Sequence, residues 1–275
     1  MSKATGTASR MSRVGLAALI ALALVLGACT SASITSPAQK PARVLLYQRE
    51  TFWFHPSTNV AGQALRKACE GRGLEVEVSK DPGLFEPANL SRFDAVVFLL
   101  SSGPTLNARQ RQSFHRWVAD HHGVVGVHSA AFTDADDPFM GAMFGASFFG
   151  HPPRMITATQ NVEDPTHRIT KGLPRRYVRT DEWYTFDRRP ELTPGVHVLL
   201  TLDESSAGTD YPGEGAQPGL LVGYHPTTWT IERASSRVFY TGMGHTVESW
   251  SEPAFVDLVA EGVVWATEAR LRSGR

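Results

Sequence analysis

The sequence predicts an α/β fold in which helices flank a mostly parallel sheet. Two runs, 94–100 and 123–128, are apolar along almost their whole length, as strands buried on both faces of a parallel sheet are. Helical patterns separate successive strand patterns in the first half of the chain, which predicts crossover connections. The second half carries shorter strand patterns between loops rich in proline and glycine, so we expect added β-strands there.

The first half contains four strand patterns and two helix patterns. Ser57 is a candidate N-cap for the first helix, and Gly71 and Gly73 mark its end. Apolar and charged residues alternate at 74–79, which indicates an edge or half-exposed strand. The predicted strands are 43–48, 74–79, 94–100 and 124–128, and the predicted helices are 57–72 and 107–122.

The second half ends in an amphipathic helix, predicted at 252–269. The loop at 203–218 holds glycine, proline and acidic residues, and we expect it to form a mobile rim. The pattern shows neither repeats nor a second domain. Short strands are predicted at 155–162, 178–186, 196–202, 220–224 and 238–242.

The first 28 residues have the pattern of an export signal. Basic residues precede an apolar core at 14–28 that is too short to span a bilayer comfortably. The run Leu26-Gly27-Ala28-Cys29 resembles a bacterial lipobox, so we predict lipidation of Cys29; an ordinary signal peptide is the alternative. Residues 29–42 are rich in Ser, Thr, Ala and Pro, which is typical of a linker. We therefore expect an extracytoplasmic domain at 43–269, attached to the cell membrane through a lipid anchor.

The composition narrows the range of partners and chemistry. The formal net charge is zero and no basic patch is visible, which argues against nucleic acid as a partner. If Cys29 is lipidated, Cys69 is the only other cysteine, so the mature chain can form no internal disulfide.

The order of elements resembles flavodoxin-like and class I amidotransferase-like domains. A flavodoxin needs a phosphate-binding loop after its first strand, but bulky aromatics occupy 52–54 here, so we expect neither flavin nor nucleotide. An amidotransferase needs a nucleophilic cysteine where His128 stands, so a Cys-dependent amidotransferase is excluded.

Histidines and acids fall at several predicted strand ends. The carboxyl ends of parallel strands meet at one crevice, where imidazole and carboxylate groups can bind a divalent metal ion or transfer protons. Each histidine taken alone has an alternative interpretation as a hydrogen-bonded loop residue, and the metal identity stays open. The residues concerned are His55, His128, His151, His225, His245, Asp181 and Glu182.

Aromatic side chains lie close in sequence to these polar residues. Aromatic faces stack on sugar rings while neighbouring polar groups bind hydroxyls; filling of the core is the alternative. With Ser129 and Asp181, the aromatic candidates for substrate binding are Trp53, Tyr184 and Trp229.

Several motifs in order resemble the trehalose-utilisation, or ThuA-like, family. They are Gly126-Val127-His128-Ser129-Ala130, Gly150-His151-Pro152, 167–174, Asp181-Glu182-Trp183-Tyr184 and 237–253, within a resemblance that covers 43–267. The resemblance implies an amidotransferase-like fold without its cysteine, and a role in the use of disaccharides and glycosides, including 3-keto sugars made by a partner dehydrogenase. The family's polar motif positions fall on His55, His128, His151, Asp181, Glu182 and His245. The chain departs from the family at 131–145, where Asp137-Pro138-Phe139-Met140-Gly141 replaces the common Trp-Pro-Trp-Tyr.

These observations lead to two hypotheses. In the first, an enzyme hydrolyses, eliminates or isomerises a keto-sugar or disaccharide derivative, with His128 and Glu182 as the acid/base pair. His55, His151 and His245 would then bind the metal or polarise a carbonyl oxygen. In the second, the chain is a lipid-anchored sugar-binding protein without turnover.

Overall fold

A computed structural model describes the backbone of residues 40–272 and the side chains of residues 40–269. The predicted signal peptide, Cys29 and nearly all of the predicted linker lie outside the described residues. The described residues belong to one compact unit. Among them, no helix combines the length and the apolar character needed to cross a bilayer.

Strands and helices alternate in the first half of the chain, and strands dominate the second. The strands are β1 (Arg43–Tyr47), β2 (Glu75–Ser79), β3 (Ala95–Leu99), β4 (Gly123–Val127), β5 (Phe148–Gly150), β6 (Ile156–Val162), β7 (Arg176–Asp181), β8 (Thr185–Phe186), β9 (Val196–Asp203), β10 (His225–Arg233) and β11 (Ser236–Thr241). The helices are α1 (Thr58–Glu70), α2 (Pro87–Leu90), α3 (Ala108–Ala119), α4 (Pro138–Met143) and α5 (Pro253–Arg272).

Nine strands form one mixed sheet in the order β2-β1-β3-β4-β11-β10-β9-β6-β7. The five strands from β2 to β11 are parallel, and the remaining four extend the sheet with antiparallel pairing. The predicted α/β fold, with a parallel core and added strands in the second half, is therefore confirmed. β2 is an edge strand, as its alternating sequence indicates.

Helices cover both faces of the parallel core. Side chains alternate along β1, so that Val44 and Leu46 pack with α1 and α5, while Leu45 and Tyr47 pack with α3 on the other face. Gly126 lets the Phe144 ring lie directly on β4, since a Cβ atom at that position would come within 2.5 Å of the ring. The all-apolar sequence of β4 thus reflects burial on both faces.

One predicted strand is interrupted, and another is replaced by a loop. The run predicted at 178–186 is interrupted, because 182–184 leaves the sheet between β7 and β8. The strand predicted at 220–224 is a loop, and β10 begins at His225 instead. Pro226 cannot donate a ladder hydrogen bond, and the sheet accommodates it with an irregularity between β10 and β9.

Candidate functional site

Three histidines from distant parts of the chain meet at the carboxyl end of the parallel sheet. His55 follows β1, His128 follows β4, and His245 follows β11. One ring nitrogen from each lies within 4.8 Å of the others, close enough to hold a metal ion. We call these residues the histidine cluster.

His128 is fully buried and held by two neighbouring elements. Its Nδ1 lies 2.8 Å from the carbonyl oxygen of Gly242, which can only accept a hydrogen bond, so Nδ1 carries the proton. Its Nε2 therefore offers a lone pair, 3.0 Å from Nδ1 of His245. Burial lowers the pKa of His128, which favours the neutral, ligating form.

Glu50 orients His55 by the same principle. Its Oε1 accepts hydrogen bonds from the His55 backbone N–H at 2.7 Å and from Nδ1 at 3.0 Å, and a third from Thr58. Burial alone would raise the pKa of Glu50, but these hydrogen bonds hold it below its usual value. A carboxylate that accepts a hydrogen bond from one nitrogen of an imidazole orients the ring, so that the other nitrogen can face a metal.

The loop that carries His245 is fixed through its backbone. Asp181, fully buried at the end of β7, accepts hydrogen bonds from the backbone N–H of Gly244 at 2.8 Å and of His245 at 3.1 Å. Ser57 donates from its hydroxyl to the His245 carbonyl at 2.7 Å. Ser57 is the N-cap residue of α1, but its side chain makes no capping hydrogen bond and holds this loop instead.

The distances in the cluster suit a small divalent cation. Nitrogen ligands at about 2.0–2.1 Å from a tetrahedral Zn²⁺ lie ~3.3 Å apart, and the Nε2–Nδ1 distance between His128 and His245 is 3.0 Å. In two of the three imidazoles, those of His55 and His128, the other ring nitrogen already makes a hydrogen bond. Three imidazole nitrogens form a donor set typical of zinc and neighbouring transition metals. The residues therefore fit a resident divalent ion.

Glu182 lies beside the histidine cluster and outside the group whose ligand atoms are mutually close. Its Oε2 lies 3.2 Å from Nδ1 of His245 and 3.4 Å from Nε2 of His128. Burial would raise the pKa of Glu182, but the neighbouring imidazoles of His128 and His245 hold it well below its usual range. Glu182 is thus a carboxylate held ionised at the edge of the cluster.

His151 occupies the outer side of Glu182. Its Nδ1 is 3.3 Å from the second carboxylate oxygen, Oε1, and its side chain is 36% exposed. His151 was predicted as a metal ligand, but the group of mutually close ligand atoms contains His128 and not His151. The pair of His151 and Glu182 connects the cluster with solvent.

The structure separates the predicted substrate-binding residues. Tyr184 stacks on His128 with ring centroids 4.1 Å apart, and Trp53 lies partly exposed two residues before His55. Asp181 and Ser129 are fully buried, and Asp181 supports the His245 loop through its backbone. Trp229 was also predicted to bind substrate. It is fully buried in β10 and donates from its indole nitrogen to the Phe144 carbonyl.

Glu50 and Ser57 were not predicted as residues of the site. Glu50 precedes His55 by five residues in a loop without regular periodicity, so no spacing rule connects the two. The hydroxyl of Ser57 fits a helix cap equally well, and only the tertiary structure brings it to His245, 188 positions away.

A family model described as trehalose utilisation matches residues 43–266. The chain belongs to the ThuA family. The resemblance inferred from the motifs is therefore confirmed over nearly the whole described part of the chain.

Solved structures support the same fold for this ThuA-family chain. A ThuA-like protein from Bacteroides uniformis is 21% identical over 85% of this chain and 94% of its own, with a TM-score of 0.69. A second, from Parabacteroides merdae, is 20% identical over 83% and 90%, with a TM-score of 0.65. A GMP synthase protein from Thermoplasma acidophilum is 12% identical over 86% and 98%, with a TM-score of 0.51. No curated protein matched the chain.

The segment 131–145, where the ThuA-like motif is replaced, builds part of the core beneath the site. It contains α4, and Phe144 at the end of this helix packs against Gly126 in β4. Asp137 caps α4 through its side chain, which accepts a hydrogen bond from Phe139.

Proposed function

We propose that this chain is an extracytoplasmic, lipid-anchored enzyme that cleaves glycosides of keto sugars with the help of a divalent metal ion. The observation that carries the proposal is the histidine cluster with Glu182 ionised 3.2–3.4 Å from two of its nitrogens. Membership of the ThuA family supports a carbohydrate as the substrate.

The proposed reaction uses the acidity that a keto group gives to its neighbours. In a 3-keto glycoside, the C–H at position 2 is acidic and the glycosidic oxygen leaves from position 1. Glu182 takes the proton from carbon 2. The electron pair of that C–H bond forms the double bond between carbons 2 and 1, and the bond between carbon 1 and the glycosidic oxygen breaks. Addition of water to the resulting enone completes net hydrolysis.

Each polar group of the site has a role in this scheme. His55, His128 and His245 would hold the ion, which supplies Lewis acidity to a keto oxygen. His128 thus moves from the predicted acid/base pair to the ligands. His151 lies against Glu182 and is partly exposed, so it can pass the abstracted proton to the departing oxygen or to solvent.

The proposal is tested by metal content and turnover of the purified protein. We expect about one equivalent of a divalent metal in the wild type and a loss of it in His128→Ala and His245→Ala. His197→Ala is the matched control, because His197 pairs with Asp164 on the surface and should leave the metal in place.

Turnover separates the enzyme from a sugar-binding protein. We expect release of the leaving group from a 3-keto glycoside, none from the unoxidised glycoside, and at least a hundredfold loss in Glu182→Gln. Absence of metal from every sample would remove the ligand roles. Sugar binding without turnover on any keto glycoside would favour the non-catalytic alternative.

A further inference from the structure

Four aromatic side chains form a continuous surface beside the site. The Trp53 ring lies 4.9 Å from Phe52, 4.5 Å from Phe132 and 5.2 Å from Phe148, measured between centroids. Phe52 is 57% exposed, so this surface is open to solvent at one end. We call Phe52, Trp53, Phe132 and Phe148 the aromatic platform.

The platform continues into the histidine cluster. Phe148 contacts Tyr184 with ring centroids 4.4 Å apart, and Tyr184 stacks on His128 at 4.1 Å. Trp53 and His55 also belong to the same short loop after β1. The platform and the histidine cluster are therefore joined both by ring contacts through Tyr184 and by the loop after β1.

The backbone under the platform is rigid. The Ser102 hydroxyl accepts a hydrogen bond from the Trp53 N–H at 3.1 Å and donates one to the Trp53 carbonyl at 2.9 Å. Gly103 allows the loop to approach, since a Cβ atom there would come within 2.8 Å of the Phe52 Cβ. Pre-organised aromatic rings lose little conformational entropy when a ligand stacks on them.

The platform has little to offer a polar ligand. Its four members are hydrocarbon rings apart from one indole, and two neighbouring hydroxyls are engaged with the backbone. Ser102 binds Trp53, and the Thr51 hydroxyl donates to the carbonyls of Ser102 and Pro104. A second sugar ring would lose water from its hydroxyls here without replacement hydrogen bonds, whereas a planar apolar ring would not.

We propose that the aromatic platform is a subsite for the leaving group, and that this group is an aromatic ring rather than a second sugar. The inference rests on the proposed function for the position of the sugar at the histidine cluster. It narrows the substrate class to aryl glycosides, whose ring packs against Trp53 and Phe52, two rings set edge to face, while the sugar faces Glu182.

The test compares the affinities of phenyl β-D-glucopyranoside, methyl β-D-glucopyranoside and free phenol for the full chain in detergent, by calorimetry. Neither glucoside carries the keto group, so turnover does not interfere. We expect the phenyl compound to bind about tenfold more tightly than the methyl compound, the scale of one or two aromatic contacts.

Variants assign that preference to the platform. Trp53→Ala should abolish the preference, and Phe52→Ala, which changes only an exposed ring, should reduce it about threefold. Phe54→Ala is the matched control. Phe54 lies in the same loop and is 75% exposed, but makes none of the platform's ring contacts, so it should leave the preference unchanged.

The outcomes distinguish the inference from the proposed function. Equal affinity for the two glucosides, or a preference that persists in both Trp53→Ala and Phe52→Ala, overturns the subsite. If neither glucoside binds but phenol binds in a Trp53-dependent way, the subsite stands and the sugar site fails. If no probe binds, but the protein without its predicted anchor sediments with phosphatidylglycerol vesicles and Phe54→Ala abolishes this, the aromatic surface contacts lipid and the inference is wrong.

Discussion

His128 combines a side chain in the histidine cluster with a backbone conformation that favours glycine. Its φ of 55° places it in the left-handed region at the sharp turn after β4. This conformation is sterically costly for a non-glycine residue, and such strain is concentrated at functional sites. The strain at His128 aims its ring into the crevice, between the Gly242 carbonyl and His245.

The positive φ of His128 predicts that glycine at this position stabilises the fold relative to alanine, although neither residue can bind a metal. Relative to His128→Ala, His128→Gly should raise the free energy of unfolding by about 1 kcal/mol, because glycine adopts positive φ without a steric penalty. Both variants should lack the metal. Equal stabilities in urea unfolding would show that the turn carries no strain.

Replacing Glu50 tests the orientation of His55. In Glu50→Gln the side chain keeps its size but no longer offers a carboxylate to the Nδ1–H of His55. We expect metal affinity to fall about 10–100-fold, the usual effect of losing such a partner. Glu70→Gln, which removes an exposed pair with Arg66, should leave the affinity unchanged in a competition titration with a chelator. A similar loss in both variants would contradict the assigned role.

The sequence located ligands at this scale better than it located their partners. His55, His128 and His245 follow strands, so the convergence of parallel strand ends brings them together. The prediction that Trp229 binds substrate rested on an indole beside polar residues, which fits a sugar site and a hydrogen-bonded core position equally well. His151, predicted among the metal ligands, lies outside the histidine cluster, because sequence spacing does not show how far each loop reaches.

At the scale of elements, the end of β7 organises two loops that are far apart in sequence. Asp181 accepts hydrogen bonds from the backbone of Glu182, Gly244 and His245, and it pairs with the buried guanidinium of Arg179 at 3.1 Å. One carboxylate thus fixes the positions of Glu182 and His245 relative to each other.

Asp181→Asn should therefore disturb both stability and the site. It leaves the buried Arg179 guanidinium with only its longer pair to the partly exposed Glu252, at 3.6 Å, and we expect this loss to destabilise the fold by about 3 kcal/mol. Metal affinity should also fall, because the His245 loop loses an acceptor. Arg176→Ala, which removes a surface pair from the same strand, is the control for thermal unfolding and metal titration. An effect on stability alone would show that Asp181 does not position His245.

The strands around this point were the hardest to predict. Residues 178–186 are rich in β-branched and aromatic residues, which favours one strand, but Glu182 faces the cluster and Trp183 turns inward to donate to the Ile156 carbonyl. At 225–233, Pro226 weakened a strand pattern that the central position of β10 nevertheless stabilises.

At the scale of the molecule, the sheet has two halves with different contributions. The parallel half supplies the histidine cluster from the ends of β1, β4 and β11, and the antiparallel extension supplies Asp181 and Glu182. The parallel half was predictable because β3 and β4 are wholly apolar and buried on both faces. The antiparallel order was not, since short strands of mixed polarity fit several pairings.

Membrane attachment stays a prediction, and Cys29 tests it. Cys29→Ser removes the thiol that lipidation requires, so the protein should move from the membrane to the soluble extracytoplasmic fraction on cell fractionation. Cys69→Ser is the control, because Cys69 is buried on the inner face of α1 and should not affect location. Retention of Cys29→Ser in the membrane would contradict lipid anchoring.

The direction of β1 has a practical consequence. The chain enters the sheet at Arg43, while the histidine cluster lies at the other end of this strand. A purification tag, a fluorescent label or a solid support joined ahead of residue 40 therefore meets the domain on the side opposite the crevice. Immobilisation through the N-terminus should leave small molecules free to reach the histidine cluster. This end is therefore the preferred attachment point for biosensors and flow reactors.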